Sequence, residues 1–238
     1  MNSKKSDVLI IVPAYNESEN ITKIVEEIRD NYPQFDYVVV NDGSSDNTGE
    51  ICKKHGYNHI NCPINLGIGG AIQTGYRYAK EMNYEIAVQI DGDGQHDPAY
   101  IEEIIKPIIE DKADYVIGSR FVENEGFQSS FARRAGIHFF SFLIMVLCFK
   151  RVKDVTSGFR AVNRFFINVF ADYYPIDYPE PEAIVDAVMR GKRILELPVI
   201  MRERDGGKSS INLKRSVYYM IKVTLNMIVC RISYGVRR

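Results

Sequence analysis

Val88-Gln-Ile-Asp91-Gly92-Asp93-Gly-Gln95-His96-Asp-Pro98 is an apolar run that ends in two aspartates separated by one glycine. Gly92 has no side chain, so the carboxylates of Asp91 and Asp93 can turn toward one point, and Gln95 offers a neutral oxygen two residues on. Hard divalent cations such as Mg2+ and Mn2+ take oxygen ligands and are often held by one or two carboxylates plus substrate phosphates. A cation at the carboxyl end of a buried strand, with positions left for phosphate, points to chemistry on a nucleotide. A solvated acidic turn fits the same residues, so the rest of the chain has to decide.

Upstream, Val8–Val12 is a strand-like run closed by Pro13, and Ser18 and Asn20 are placed to cap a helix carrying Ile21, Ile24, Val25 and Ile28 on one face. Tyr37–Val40 is a second β-branched run that ends in the turn signal Asn41-Asp42-Gly43. The pattern then predicts a helix over 47–54, a weak strand at His59-Ile60, and a helix over Gly70–Glu81. A strand over Glu85–Ile90, a helix over Pro98–Glu110 and a strand over Asp114–Gly118 follow. This alternation predicts βαβ units: an α/β fold with a mainly parallel central sheet and helices on both faces. Ligands in such sheets bind beyond the strand carboxyl ends, at a switch point. Pro13, Asp42 and Asp91 all fall at those ends.

After Arg120 the character changes. Ile137–Phe149 holds only His138 and Ser141 as polar members and is flanked by Arg133-Arg134 and Lys150-Arg151. It is too short to span a bilayer, which takes about 20 residues. It reads as an interfacial amphipathic helix over about residues 131–150, with a buried core helix as the alternative. Ser216–Tyr234 is a second apolar segment, on which Arg215, Lys222, Asn226 and Ser233 form one narrow stripe with Arg231 opposite. Such a helix has to pack on the domain, a lipid surface or a membrane partner. From Lys214 onward the chain carries Lys214, Arg215, Lys222, Arg231, Arg237 and Arg238 and no acidic residue, a basic and apolar combination that favours an anionic membrane surface.

At 238 residues the chain is one large domain, or one domain with an appendage. A net charge of −1 gives no reason to expect nucleic acid as a partner. Cys52, Cys62, Cys148 and Cys230 show neither CxxC pairing nor zinc spacing, which predicts a reduced, cytosolic setting. The N-terminal residues lack a signal-peptide apolar core, so the chain is expected to stay on the cytosolic side.

Three more segments carry chemistry. Ile11–Glu17 leaves the first strand with Pro13 fixing the turn and Tyr15 and Glu17 expected to be exposed at the sheet edge. Val40–Asp46 places Asp42 where it can accept from a base N–H or a ribose hydroxyl. Asn65–Ala71 is a glycine-rich helix entry whose backbone N–H groups are expected to face a ligand. It lacks the Walker Lys-Ser/Thr and is not Gly-x-Gly-x-x-Gly, so neither an ATPase nor a dinucleotide fold is indicated.

Taken in order, VPAYNE, VNDGSSDNT, NLGIGGA, QIDGDGQHDP, GSRF and TSGFRA resemble the family 2 glycosyltransferases of GT-A fold, and within them the dolichyl- and polyprenyl-phosphate sugar transferases. The resemblance runs from Ile10 to about Ser210. It implies a catalytic domain over residues 1–212, and the apolar, basic segment 213–238 is expected to be a helix for membrane or partner docking. It implies that Pro13, Ala14, Tyr15, Glu17, Val40 and Asp42 hold the nucleoside. Asp91, Gly92, Asp93 and Gln95 would hold an Mg2+ or Mn2+ cofactor and the diphosphate, with Asp93 central to catalysis. Arg120 in GSRF matches an arginine near the transferred group and the acceptor phosphate, and Arg133 or Arg134 matches a second acceptor-phosphate ligand. Arg202 and Lys208 resemble residues that close on the diphosphate. Asp154 is the position for an acceptor-side carboxylate, or else a cap or turn residue, and Glu180 or Glu182 could do similar work.

Elementary chemistry agrees with that division. Sugar transfer from a nucleoside diphosphate passes through an oxocarbenium-like state while charge grows on the leaving diphosphate, which a bridging metal stabilises. An acceptor phosphate is already anionic and needs cationic positioning, which arginine supplies through permanently charged, bidentate donors. A sugar-hydroxyl acceptor needs a carboxylate base instead. The expectation is an inverting, metal-dependent glycosyltransferase, a peripheral protein at the cytoplasmic face of the membrane. It would use a nucleoside-diphosphate sugar, UDP-linked first and GDP-mannose next, and a polyprenyl phosphate. Its last helix would lie in the interface or dock on a small integral-membrane protein. The rivals are a sister enzyme with a carbohydrate acceptor, in polysaccharide or cell-wall assembly, and a catalytically silent nucleotide-sugar binder. Sugar-1-phosphate nucleotidylyltransferases are set aside because their glycine-rich, Arg/Lys-containing N-terminal signature is missing.

Overall fold

The β-branched runs of the first half become the inner strands of one sheet. The computed structural model describes residues 5–123, 131–202 and 213–236, with side chains described outside 131–133, 213–217 and 235–236. Among the described residues there are seven strands: β1 (Val8–Ala14), β2 (Asp36–Asn41), β3 (His59–Asn61), β4 (Ile86–Gln89), β5 (Tyr115–Ser119), β6 (Arg160–Asn163) and β7 (Ile194–Pro198). Their order across the sheet is β3-β2-β1-β4-β6-β5-β7. All neighbours run parallel except β6, which lies antiparallel between β4 and β5. From β1 the chain moves outward to β2, and from β4 it moves the other way along the sheet to β5, so the switch point falls between β1 and β4, where open α/β sheets place a ligand crevice.

Successive strand residues point to opposite faces, and each face has its own helices. Ile10, Val12, Val39, Val88 and Val116 pack against α1 (Ile21–Asn31), α2 (Thr48–Lys54) and α4 (Ile101–Ile109). Leu9, Ile11, Val38, Val40 and Ile117 pack against α3 (Gly67–Glu81), α5 (Phe131–Cys148), α6 (Arg164–Asp172), α7 (Pro179–Met189) and α8 (Leu213–Val236). α1 buries Ile21, Ile24, Val25 and Ile28, the four positions its periodicity marks. Asn20 does not cap it with its side chain; the Asn20 amide donates to Glu17 Oε2 at 2.8 Å.

Two boundaries move. The segment after Pro98 splits into a 3-10 turn over Pro98–Tyr100, where Asp97 accepts from the Ala99 N–H, and then α4. α3 begins at Gly67, earlier than Gly70, because its glycine-rich entry is a packing surface. A Cβ on Gly69 would lie 1.9 Å from the Pro175 carbonyl oxygen, and the Gly69 N–H donates to Ile176 O at 2.9 Å. The Leu66 N–H donates to Asp42 Oδ1 at 2.7 Å and the Gly67 N–H to Asn65 Oδ1 at 3.2 Å. Three of the N–H groups expected to face a ligand, those of Leu66, Gly67 and Gly69, therefore have partners inside the chain.

The last helix is arranged inside out. Lys222 pairs with Asp177, Asn226 bonds Glu182, Tyr234 bonds Asp186, and Arg231 Nε donates to Leu147 O at 2.9 Å. Lys222 and Asn226 of the polar stripe thus face α7 and its approach, Ser233 is exposed, the Arg215 side chain lies outside the described residues, and Val223 and Met227 enter the core. Tyr218, Ile221, Leu225, Val229 and Ile232, spaced by three and four, form an exposed stripe. α5, packed beside α8, buries Ile137, Phe140 and Ile144 and exposes Phe139, Phe142, Met145 and Val146, with Phe149 exposed just beyond its end. Among the described residues no helix is long and apolar enough to cross a membrane.

Gly69→Ala is expected to destabilise the protein by about 1–3 kcal/mol, the range for an overpacked site, read as a lower midpoint in urea. An unchanged midpoint would mean that α3 and the Pro175-Ile176 backbone are not in contact.

Candidate active site

The site is assembled where β1 and β4 part. Hydrogen bonding between them continues past the strand ends, with the Ile90 N–H on Ile11 O at 3.0 Å and the Gly92 N–H on Pro13 O at 3.1 Å. A Cβ on Gly92 would lie 2.9 Å from Pro13 O, so a glycine is what lets the Asp-Gly-Asp turn lie against the end of β1. Beside it, the Asp42 N–H donates to Ala14 O at 2.9 Å, which fixes the end of β2 in the same row. Pro13, Ala14, Val40, Asp42, Asp91 and Asp93 are thereby brought to one edge.

Their surroundings differ. Asp42 is 2 % exposed, and burial raises its carboxyl pKa against the opposing bonds from the Leu66 and Gly67 N–H groups. Tyr15 stands exposed at the rim, whereas Glu17 is buried and bonded to Asn20, a correction to its expected exposure. Asp91 and Asp93 are both half-buried. Asp93 Oδ1 accepts from the Gln95 N–H at 3.0 Å, and Gln95 is also half-buried. Gln89 Nε2 donates to Asp91 Oδ1 at 3.1 Å. Among the described residues no cluster of three or more His, Cys, Asp or Glu side chains could hold a metal alone. Two carboxylates on one turn, with oxygen donors only, fit a hard divalent cation that shares its coordination with substrate phosphates.

Arg120, at the end of β5, forms a two-pronged pair with Asp154: Nε to Oδ2 and Nη2 to Oδ1, both 2.7 Å, with the Arg120 backbone N–H on Oδ2 at 3.1 Å. Asp154 is 0 % exposed and Arg120 6 %. Glu196 of β7 accepts from the Lys153 and Asp154 N–H groups and holds this loop from the other side. Asp154 is therefore committed to orienting Arg120. Arg120 lines a cleft of about 190 Å3 with Tyr100, Glu103, Ser119 and Val199.

Of the other expected residues, Arg202 lies beside the acidic turn. Arg202 reaches Glu27 with both terminal nitrogens at 2.8 Å and Asp97 at 2.8 Å, and the Glu27 bond raises its pKa further. Its N–H donates to Gln95 O at 2.9 Å, so it fastens the Asp93–Asp97 turn, and it lines a small pocket together with Asp93. Glu182 bonds Tyr173 and Asn226 away from the edge, and burial raises its pKa. Arg134 is half-buried near the start of α5, whereas the Arg133 side chain and all of Lys208 lie outside the described residues. The spacing missed Gln89, Gly158, Glu196 and Glu27. A glutamine closing the otherwise apolar Ile86-Ala-Val-Gln89 strand was the one available signal.

The family model described as glycosyl transferase family 2 matches residues 9–170. The chain belongs to that family. The UDP-N-acetylglucosamine–dolichyl-phosphate N-acetylglucosaminyltransferase of Methanococcus voltae is 32 % identical over 212 residues, covering 81 % of this chain and 84 % of that protein. The undecaprenyl-phosphate mannosyltransferase of Micrococcus luteus is 30 % identical over 215 residues, covering 86 % and 87 %. Among solved structures, glucosyl-3-phosphoglycerate synthase from Mycobacterium tuberculosis superposes with a TM-score of 0.73 at 16 % identity, covering 94 % of this chain and 79 % of that one. The fold is GT-A, and this family 2 member is a glycosyltransferase.

Asp154→Ala leaves Arg120 charged and buried without its carboxylate, and should lower the unfolding free energy by about 3–5 kcal/mol. Adding Arg120→Met removes the orphaned charge and should restore most of that loss in the same urea titration.

Proposed function

We propose that this glycosyltransferase moves one sugar, with inversion, from a UDP-linked donor to a polyprenyl phosphate at the cytoplasmic face of a membrane. The observation that carries the reading is the state of Asp154. The carboxylate nearest the acceptor arginine is wholly buried and committed to it, so that side of the site offers an oriented cation and no carboxylate from that position to act as a base. That arrangement suits an acceptor that is already an anion. The relatives named for dolichyl and undecaprenyl phosphate support the same acceptor class.

In this reading Asp42 accepts from the base or ribose over a floor of Pro13, Ala14 and Val40, with Tyr15 at the rim. Asp91 and Asp93, with Gln95 beside them, would hold Mg2+ or Mn2+, which when bound stabilises negative charge on the leaving diphosphate. Arg120, with Arg133 or Arg134, positions the acceptor phosphate. Its oxygen forms a bond to the anomeric carbon from the face opposite the departing diphosphate, the old bond breaks, and nucleoside diphosphate leaves. No proton has to be removed from the acceptor.

The exposed stripes of α5 and α8 rest on the leaflet, where the cationic Arg134, Lys150 and Arg151 meet anionic headgroups. Each buried Leu or Val contributes roughly 1.5–3 kcal/mol, so Leu225→Glu with Val229→Glu should cut binding to phosphatidylglycerol-containing vesicles by at least about tenfold. Flotation measures this. Wild-type protein that ignores protein-free vesicles would instead point to a membrane-protein partner.

Labelled UDP-glucose, UDP-N-acetylglucosamine and GDP-mannose, each with Mn2+ or Mg2+ and undecaprenyl phosphate, test the reaction. Label should enter an organic-extractable product, and Asp93→Ala should lower the rate at least ~10²-fold. Transfer to a sugar acceptor alone would replace the lipid reading with glycan assembly.

A further inference from the structure

Gln89 closes β4 and is 1 % exposed, in register with Arg160 of β6. Its Nε2 donates to Asp91 Oδ1, while its Oε1 is buried and, among the described residues, has no hydrogen-bond partner. The direction of the amide follows from chemistry, because a carboxylate only accepts and the nitrogen must face it. A buried acceptor left without a donor is a cost that an apolar side chain of the same shape would avoid. The donor half of the amide is what the site gains in return.

Two further groups close around the same carboxylate. The Asp91 N–H donates to His96 Nδ1 at 3.0 Å, which puts the ring proton on Nε2, 3.7 Å from Asp91 Oδ2. His96 is itself held by stacking on Phe159, with centroids 5.2 Å apart. Across the carboxylate lies Gly158, where a Cβ would stand 2.8 Å from Asp91 Oδ2 and 3.1 Å from both Oδ1 and Gln89 Nε2. The loop before β6 thus presses on Asp91 and its glutamine together. Buried partners that orient a ligand carboxylate in this way set metal affinity without touching the metal.

We propose that Gln89 is a positioning residue that sets the orientation of Asp91 for the divalent cation. This rests on the reading of Asp91 and Asp93 as cation ligands. The test is Mn2+ affinity in the presence of saturating UDP, followed by the electron paramagnetic resonance signal of free Mn2+, for wild type, Gln89→Met and Gln89→Leu. Both substitutions remove the donor and the orphaned acceptor at nearly constant volume. Mn2+ should bind about 10-fold or more weakly in the variants, while UDP affinity without metal stays the same and the thermal midpoint stays equal or rises. A purely structural role would move the midpoint and leave the Mn2+ affinity alone. Mn2+ binding within about twofold of wild type in a folded variant, or loss of the fold in both variants, overturns the proposal. Wild-type protein that binds no Mn2+ with UDP overturns the reading of the site itself, a result distinct from an effect of Gln89.

Discussion

Everything at the site depends on the seam between β1 and β4. These strands pair in parallel from Val8–Ile86 to Ile11–Gln89, and their hydrogen bonding carries on into the turns that follow. The Asp-Gly-Asp turn is therefore anchored at the sheet edge by main chain on one side. On the other side the antiparallel β6 brings its first residues, and the loop before it, to the same edge. An antiparallel strand at this point delivers Asp154–Gly158 on an incoming segment. A parallel strand would have delivered an outgoing one.

The charges at this edge are held by unlike means. Arg120 is matched by a carboxylate with two-pronged geometry. Arg160, fully buried, has no such carboxylate partner among the described residues: it donates to the carbonyls of Ser157, Val155 and Glu180 and to the Tyr115 hydroxyl. Its work is to tie the loop before β6 to β5 and to the first turn of α7. Removing a buried cation from water is costly, and several carbonyl dipoles share the compensation here. One arginine is oriented at a cleft, and the other fixes the backbone that carries the first one's partner.

The first half of the fold was legible because its strands are β-branched runs that end in Asp, Asn, Gly or Pro, and its α1 face repeats at helical spacing. In the second half α5 and α8 were legible as long apolar segments, whereas β6 and α6 were hidden for identifiable reasons. β6 is only Arg160-Ala-Val-Asn163 and begins with a charged residue, so no apolar run marks it. Asn163 ends that strand and also caps α6 by accepting from the Phe166 N–H at 3.3 Å, leaving no turn between them to read. At the site, the acidic turn and Asp42 were visible as residues at strand ends. The opposite commitments of Asp154 and Arg202 were not, because each is decided by a partner distant in sequence: Arg120 and Glu196 for one, Glu27 for the other.

The inverted α8 has a consequence for anyone wanting a version that stays in solution. Cutting the helix away would uncover the hydrophobic bed occupied by Val223 and Met227 and strip Asp177, Glu182 and Asp186 of their counterparts. Repainting its outer stripe with hydrophilic residues keeps those inner ties and removes only the greasy exterior. The segment that looks most like a detachable tail is, on its inner side, a wall of the building.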